Sequence, residues 1–89
     1  MYKRQAQASA GDVLTLRFAG ESWVEVRDAR GERLVYRLAA AGEERSVSGE
    51  APFRIVLGNA PGVEAELNGE PVDIARHTSG RTARFTVGR

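Results

Sequence analysis

Apolar and polar residues alternate with a period of two through most of this chain, and that constrains the fold more than any other feature. Leu14, Leu16 and Phe18 alternate with Thr15 and Arg17, and Val24 and Val26 with Trp23, Glu25 and Arg27. Leu34, Tyr36 and Leu38 alternate with Val35 and Arg37, and Val63, Ala65 and Leu67 with Glu64, Glu66 and Asn68. Ala83, Phe85 and Val87 alternate with Thr82, Arg84 and Thr86. Successive side chains on a strand point to opposite faces, so each run offers one face to a core and one to water. No segment carries a helical period.

Three further segments complete the pattern. Phe53-Arg54-Ile55-Val56-Leu57 is more continuously apolar and reads as a central strand. The stretch 43–48 has one good inward residue, Val47, and reads as an edge strand. Val72-Asp73-Ile74 reads as a short strand near the end. Turn-forming residues punctuate the runs. Asn68-Gly69 is the strongest hairpin signal, because both residues tolerate φ > 0. Pro52, Pro61 and Pro71 all fall in the expected breaks. About seven to eight short strands with frequent turns predict an all-β fold, a small antiparallel β-sandwich of Ig-like or jelly-roll-like form. A partly open barrel fits the same pattern. Residues 1–11 are polar, lack periodicity and read as a flexible linker arm, leaving 12–89 as the β domain.

The chain's 89 residues make one domain with a thin core. A deep, walled active site is hard to build from so little material. The formal net charge of +1 is too small for a general nucleic-acid binder or for an anionic-membrane binder. With no cysteine, neither a disulfide framework nor a thiolate metal site is expected. No run approaches the ~20 apolar residues of a membrane span, and Met1-Tyr2-Lys3-Arg4-Gln5 lacks the apolar stretch of a signal peptide. The chain is therefore expected to be soluble, and to need another segment to carry it out of the cytoplasm.

The single histidine, His77, lies in the turn-like stretch Arg76-His77-Thr78-Ser79-Gly80. Ser79 and Asp73 are near it in sequence, but nothing resembles a nucleophile elbow, so His77 reads as a turn residue bonding locally. No metal, no cofactor and no catalytic residue is expected. The acidic pairs Glu43-Glu44 and Glu64/Glu66 read as solvated strand faces.

Trp23 is the residue to single out. By parity it shares a face with Glu25 and Arg27, opposite Val24 and Val26. If neighbouring hairpin strands put their apolar sets on one side, paired positions sum to an even number. That places Arg17 and Arg37 on the face of Trp23, with Arg17 opposite the indole across a first hairpin. The candidate binding patch is Trp23, Arg17, Glu25, Arg27 and Arg37, with Val13 and Val35 adding apolar area. Two readings of Trp23 stand. Trp and Arg dominate binding hot spots, and Trp is a sugar-stacking platform. Equally, a Trp can close the end of a sandwich beneath the arm or a loop.

Several stretches resemble the C-terminal periplasmic domain of the bacterial cell-shape family RodZ. They include Leu14-Thr15-Leu16-Arg17-Phe18 and Ser22-Trp23-Val24-Glu25-Val26-Arg27-Asp28-Ala29. Others are Pro52-Phe53-Arg54-Ile55-Val56-Leu57-Gly58-Asn59-Ala60, Gly62-Val63-Glu64 and Leu67-Asn68-Gly69-Glu70-Pro71-Val72-Asp73. His77-Thr78 and Ala83-Arg84-Phe85-Thr86-Val87 complete the set, so the resemblance covers residues 12–87. Ala39-Ala40-Ala41 departs from the basic or small residues usual in the family at that point.

The resemblance implies a periplasmic domain tethered to the inner membrane by a span in the full-length protein. It also implies a cytoplasmic helix-turn-helix-like domain that contacts the actin-like MreB filament. The implied role is non-catalytic: coupling that cytoskeleton to cell-wall elongation, with proteins of the elongation complex as partners and no nucleic acid for this part. The alternative is a carbohydrate-binding module touching peptidoglycan through Trp23 and its Arg/Glu neighbours. A small hydrolase, with His77 in a pocket beside Ser79 or Asp73, is the third reading.

Overall fold

A computed structural model describes residues 11–88, so residues 1–10 of the expected arm lie outside the described residues. The described residues form nine strands in two antiparallel sheets, with no α-helix among them. The strands are β1 (Asp12–Phe18), β2 (Ser22–Arg27), β3 (Arg33–Ala39), β4 (Glu44–Gly49) and β5 (Phe53–Gly58), then β6 (Val63–Leu67), β7 (Glu70–Val72), β8 (Thr78–Ser79) and β9 (Thr82–Val87). Single 3₁₀ turns at Ala60–Gly62 and Ala75–His77 precede β6 and β8.

The five-stranded sheet has the order β3-β2-β5-β9-β8, and the four-stranded sheet β4-β1-β6-β7. The alternating residues face each other between them. Leu14, Leu16 and Phe18 of β1 meet Val24 and Val26 of β2, Phe53, Ile55 and Leu57 of β5, and Ala83 and Phe85 of β9. Phe53, Leu14, Val24, Val26 and Leu57 are fully buried. The two layers thus form the expected small β-sandwich. β5 is central in its sheet, and β4 is an edge, as their sequences imply.

The β6–β7 hairpin turns at Asn68 (φ 52°) and Gly69 (φ 85°), the two positive values that its tight turn requires. Asn68 also ties the turn to β1. Its Oδ1 accepts from the Val13 amide (2.9 Å) and its Nδ2 donates to Asp12 (3.0 Å). Pro71 lies within β7 rather than in a break. β7 is an edge strand, and such strands tolerate a missing amide hydrogen. Thr78–Ser79, which reads as a turn in the sequence, is a two-residue strand against β9.

Two registers differ from the sequence expectation. β1 and β2 do not form a hairpin. β1 pairs with β4 and β6, whereas β2 pairs with β3 and β5, so the link 19–21 crosses from one sheet to the other. The crossing is held by Ala19 N–H donating to Gly62 O (2.7 Å) and Asn59 Nδ2 donating to Glu21 O (2.8 Å). In the β2–β3 hairpin, Trp23 pairs with Leu38, Val24 with Arg37, Glu25 with Tyr36 and Val26 with Val35. The sums are odd, so Val35 and Ala39 enter the core while Tyr36 and Leu38 face water. A β-bulge follows: Arg27 pairs with Arg33, leaving Leu34 as the extra residue, which also packs against the core.

Candidate interaction face

The register lays the outer face of the five-stranded sheet out in rows. At one end Leu38 lies opposite Trp23. Trp23 in turn stands beside Gly58, where an added Cβ would lie only 3.3 Å from the Trp23 Cβ. In the middle row Tyr36, Glu25, Val56 and Arg84 lie side by side across β3, β2, β5 and β9. In the next row Arg33, Arg27, Arg54 and Thr86 do the same.

The aromatic end is internally packed. The Trp23 and Tyr36 rings meet edge to face, with centroids 4.9 Å apart at 83°. The Arg33 guanidinium lies 4.0 Å from the centre of the Tyr36 ring, a cation–π contact. Trp23 is 37% exposed, Tyr36 52% and Leu38 51%, so three of the four large exposed apolar side chains among the described residues share this face. Trp23 is therefore neither sealed in the core nor fully displayed. Below them, Glu25, Arg27, Arg54, Val56, Arg84 and Thr86 line a shallow basin of about 460 Å³ between β2, β5 and β9. Glu25 and Arg27 are paired at 3.2 Å. Arg54 and Arg84 have no ion pair among the described residues.

Of the five residues singled out in the sequence, the structure brings together Trp23, Glu25 and Arg27. Arg17 lies on the other sheet, on the outer face of β1, because the chain changes sheets at 19–21. There its guanidinium meets Glu66 at 3.2 Å and Glu44 at 3.6 Å, and the hydrogen bond and charge of Glu66 raise its pKa further above the usual arginine value. Val13 is on that sheet too. Arg37 lies on the core side of edge strand β3, not on the face of Trp23. At the open flank of the sandwich it donates to Glu43 at 2.6 Å. Val35 is buried and adds nothing to the surface.

The residues missed were Tyr36, Arg33, Arg54 and Arg84. Arg54 and Arg84 were legible as outward positions, since each sits between inward apolar residues (Phe53 and Ile55; Ala83 and Phe85). The sequence did not show that β5 and β9 continue the sheet beside β2.

His77 stacks on Phe85, with centroids 4.9 Å apart and planes 13° apart, and its amide bonds to Ile74 O at 2.9 Å. It therefore covers part of a core ring. A second concavity, of about 690 Å³, lies on the four-stranded side and includes Arg17, Glu64, Glu66, Asp73 and Thr78. Glu66 is committed to Arg17 there. Among the described residues no cluster of His, Asp or Glu is suited to hold a metal ion.

No solved structure matches the chain. The model of the RodZ C-terminal domain matches residues 15–86, which span all but the ends of the described sandwich. The chain belongs to the RodZ C-terminal domain family.

Proposed function

We propose that this chain is the non-catalytic interaction domain of a membrane-anchored bacterial cell-shape protein. It acts in the periplasm and helps to couple the MreB cytoskeleton to cell-wall elongation. Membership of the RodZ C-terminal domain family carries the reading. The surface supports it. Trp23, Tyr36 and Leu38 gather on one open sheet face beside arginines, the residue types that dominate protein-binding hot spots. A tethered domain also needs little intrinsic affinity, because tethering raises the effective concentration of its partners. The carbohydrate alternative has less support, since Trp23 and Tyr36 meet edge to face rather than as one flat platform, and Arg33 covers one side of Tyr36.

A domain exchange tests the reading. A full-length RodZ protein of a rod-shaped bacterium would carry residues 11–88 in place of its own C-terminal domain. A second strain would carry an unrelated β-sandwich of similar size there. The grafted chain should retain rod shape and wall insertion along the cylinder, and the unrelated sandwich should give wider, rounder cells. Equal shape in both strains would overturn the proposal.

A further inference from the structure

The face that carries Trp23 is built against its own electrostatics. Arg33 is opposite Arg27, and Arg27 is opposite Arg54, so three guanidinium-bearing residues stand in one row across adjacent strands. Strands are spaced about 4.8 Å apart, and like charges placed directly opposite destabilise a sheet. Arg84 stands diagonally from Arg54 on β9. Among the described residues the only acid on this part of the face is Glu25, and it engages Arg27. Beside this cluster stand Trp23, Tyr36 and Leu38, all partly exposed to water.

We propose that this face is the docking site for an acidic, extended segment of a partner protein. The partner's carboxylates would lie on Arg27, Arg54, Arg84 and Arg33, and one of its apolar side chains would pack against Trp23 and Leu38. Charge complementarity selects the occupant. Carboxylates two residues apart on an extended chain are roughly 7 Å apart, within reach of long arginine side chains rooted on neighbouring strands. Arginine's planar fork suits bidentate carboxylate binding. A lipid surface fits less well, because Glu25 sits in the middle of the face and would be pressed against anionic headgroups. The site rests on the interaction-domain reading and adds to it the surface and the partner's chemistry.

The test is an NMR titration of the isotope-labelled chain. The probe is a short synthetic peptide of glutamates around one Leu-Leu pair. Its counterpart with every Glu replaced by Gln, soluble muropeptides and vesicles of mixed zwitterionic and phosphatidylglycerol lipid serve as comparisons. The acidic peptide should shift the Trp23 indole and the amides of Arg27, Arg33, Arg54 and Arg84 together, and the shifts should saturate. The Gln peptide should leave them in place. The double reversal Arg27→Glu/Arg54→Glu should weaken binding roughly tenfold or more, since buried or close charge pairs at interfaces are worth that much. Arg84→Glu, checked for an unchanged fold by its spectrum, should weaken it less.

Four outcomes overturn the site: no saturable shift with the acidic peptide, an equal response to the Gln peptide, a response only to muropeptides, or a response only to vesicles. The last two would assign the face to glycan or to lipid. The double reversal in the grafted full-length protein separates this site from the broader reading. If it leaves cell shape intact while the unrelated sandwich does not, the site fails and the interaction-domain reading stands.

Discussion

The two outer faces of this sandwich share one core and treat charge in opposite ways. On the four-stranded sheet, Arg17 stands between Glu44 of β4 and Glu64 of β6, and its guanidinium reaches Glu44 and Glu66. The flanking positions are filled by small hydroxyls, with Thr15 bonded to Ser46 at 3.0 Å. Opposite charges meet across strands, and among the described residues Val13 is the only large apolar one exposed there. On the five-stranded sheet, arginine meets arginine across strands, and the three other exposed large apolar side chains collect beside them. On the first face the charges are matched across strands. The second forgoes the stabilisation of opposite pairs. A net charge of +1 conceals this, because the sum cancels what the fold separates.

The strongest way to break the comparison is to remove what the two faces share. Phe53 is fully buried at the start of β5, and its ring lies near the position that a Cβ on Gly49 of β4 would occupy. It therefore packs between the sheets. Phe53→Ala should cost about 3–5 kcal/mol, a large share of the stability of a domain this small. Urea unfolding followed separately by Trp23 fluorescence and by far-ultraviolet circular dichroism should give one coincident, shifted transition. Separate transitions would mean that the sheets unfold independently, and the faces could then not be compared as two sides of one cooperative unit.

How far the sequence revealed this arrangement follows from which contacts are local. In β1, β2, β5, β6 and β9 the inward and outward residues were legible, because period two needs no knowledge of the neighbour. The Asn68-Gly69 turn and the central place of β5 were legible for the same reason: turn chemistry and continuous apolarity are written locally. The pairing of β1 was not. Its partners β4 and β6 are distant in sequence, and the Ala19–Glu21 link looks like a hairpin turn until Gly62 and Asn59 are seen to hold it across the sandwich. The β2–β3 register was hidden by the bulge at Leu34, which lets Leu34 and Val35 both pack inward. That one residue moved Tyr36 onto the face of Trp23 and took Arg37 off it. The triplet Trp23, Glu25 and Arg27 survived because it lies within one strand.

Acid should loosen the flank where the two sheets meet. At the open flank beside the four-stranded sheet, Glu43 accepts from the Ala40 amide (2.9 Å), Arg37 (2.6 Å) and Arg45 (3.3 Å). The Ala40 hydrogen bond chiefly holds its carboxyl below the ordinary value of 4.5; partial burial opposes this, and Arg37 and Arg45 add to the lowering. The unfolded chain therefore takes up the proton first as pH falls. Glu43's contribution to stability is complete above the ordinary value and is lost as pH drops through the lowered one. Urea midpoints measured from about pH 6 down to about pH 3 should fall, and Glu43→Gln should flatten part of that slope. A slope unchanged by Glu43→Gln would show that the flank bridge contributes nothing.

The smallest expected effect bears most directly on the contrast. Arg54 lies opposite Arg27, and Arg54→Glu replaces a like pair by an opposite one without touching the core. It should raise stability by about 0.2–1 kcal/mol, the worth of a cross-strand charge pair. The gain should shrink as salt is added, because exposed charges are screened within about 10 Å at 0.1 M salt. The matching change on the other face, Arg17→Glu, should lower stability, since it puts a fourth carboxylate among Glu44, Glu64 and Glu66. Opposite signs in thermal unfolding would mean that one face is tuned for the fold and the other is held away from its own optimum. Stability given up at a surface, and recoverable by a single substitution that weakens acidic-peptide binding, is the signature of a site kept for a partner. Equal signs would remove that argument and leave the arginine row an ordinary, well-solvated surface.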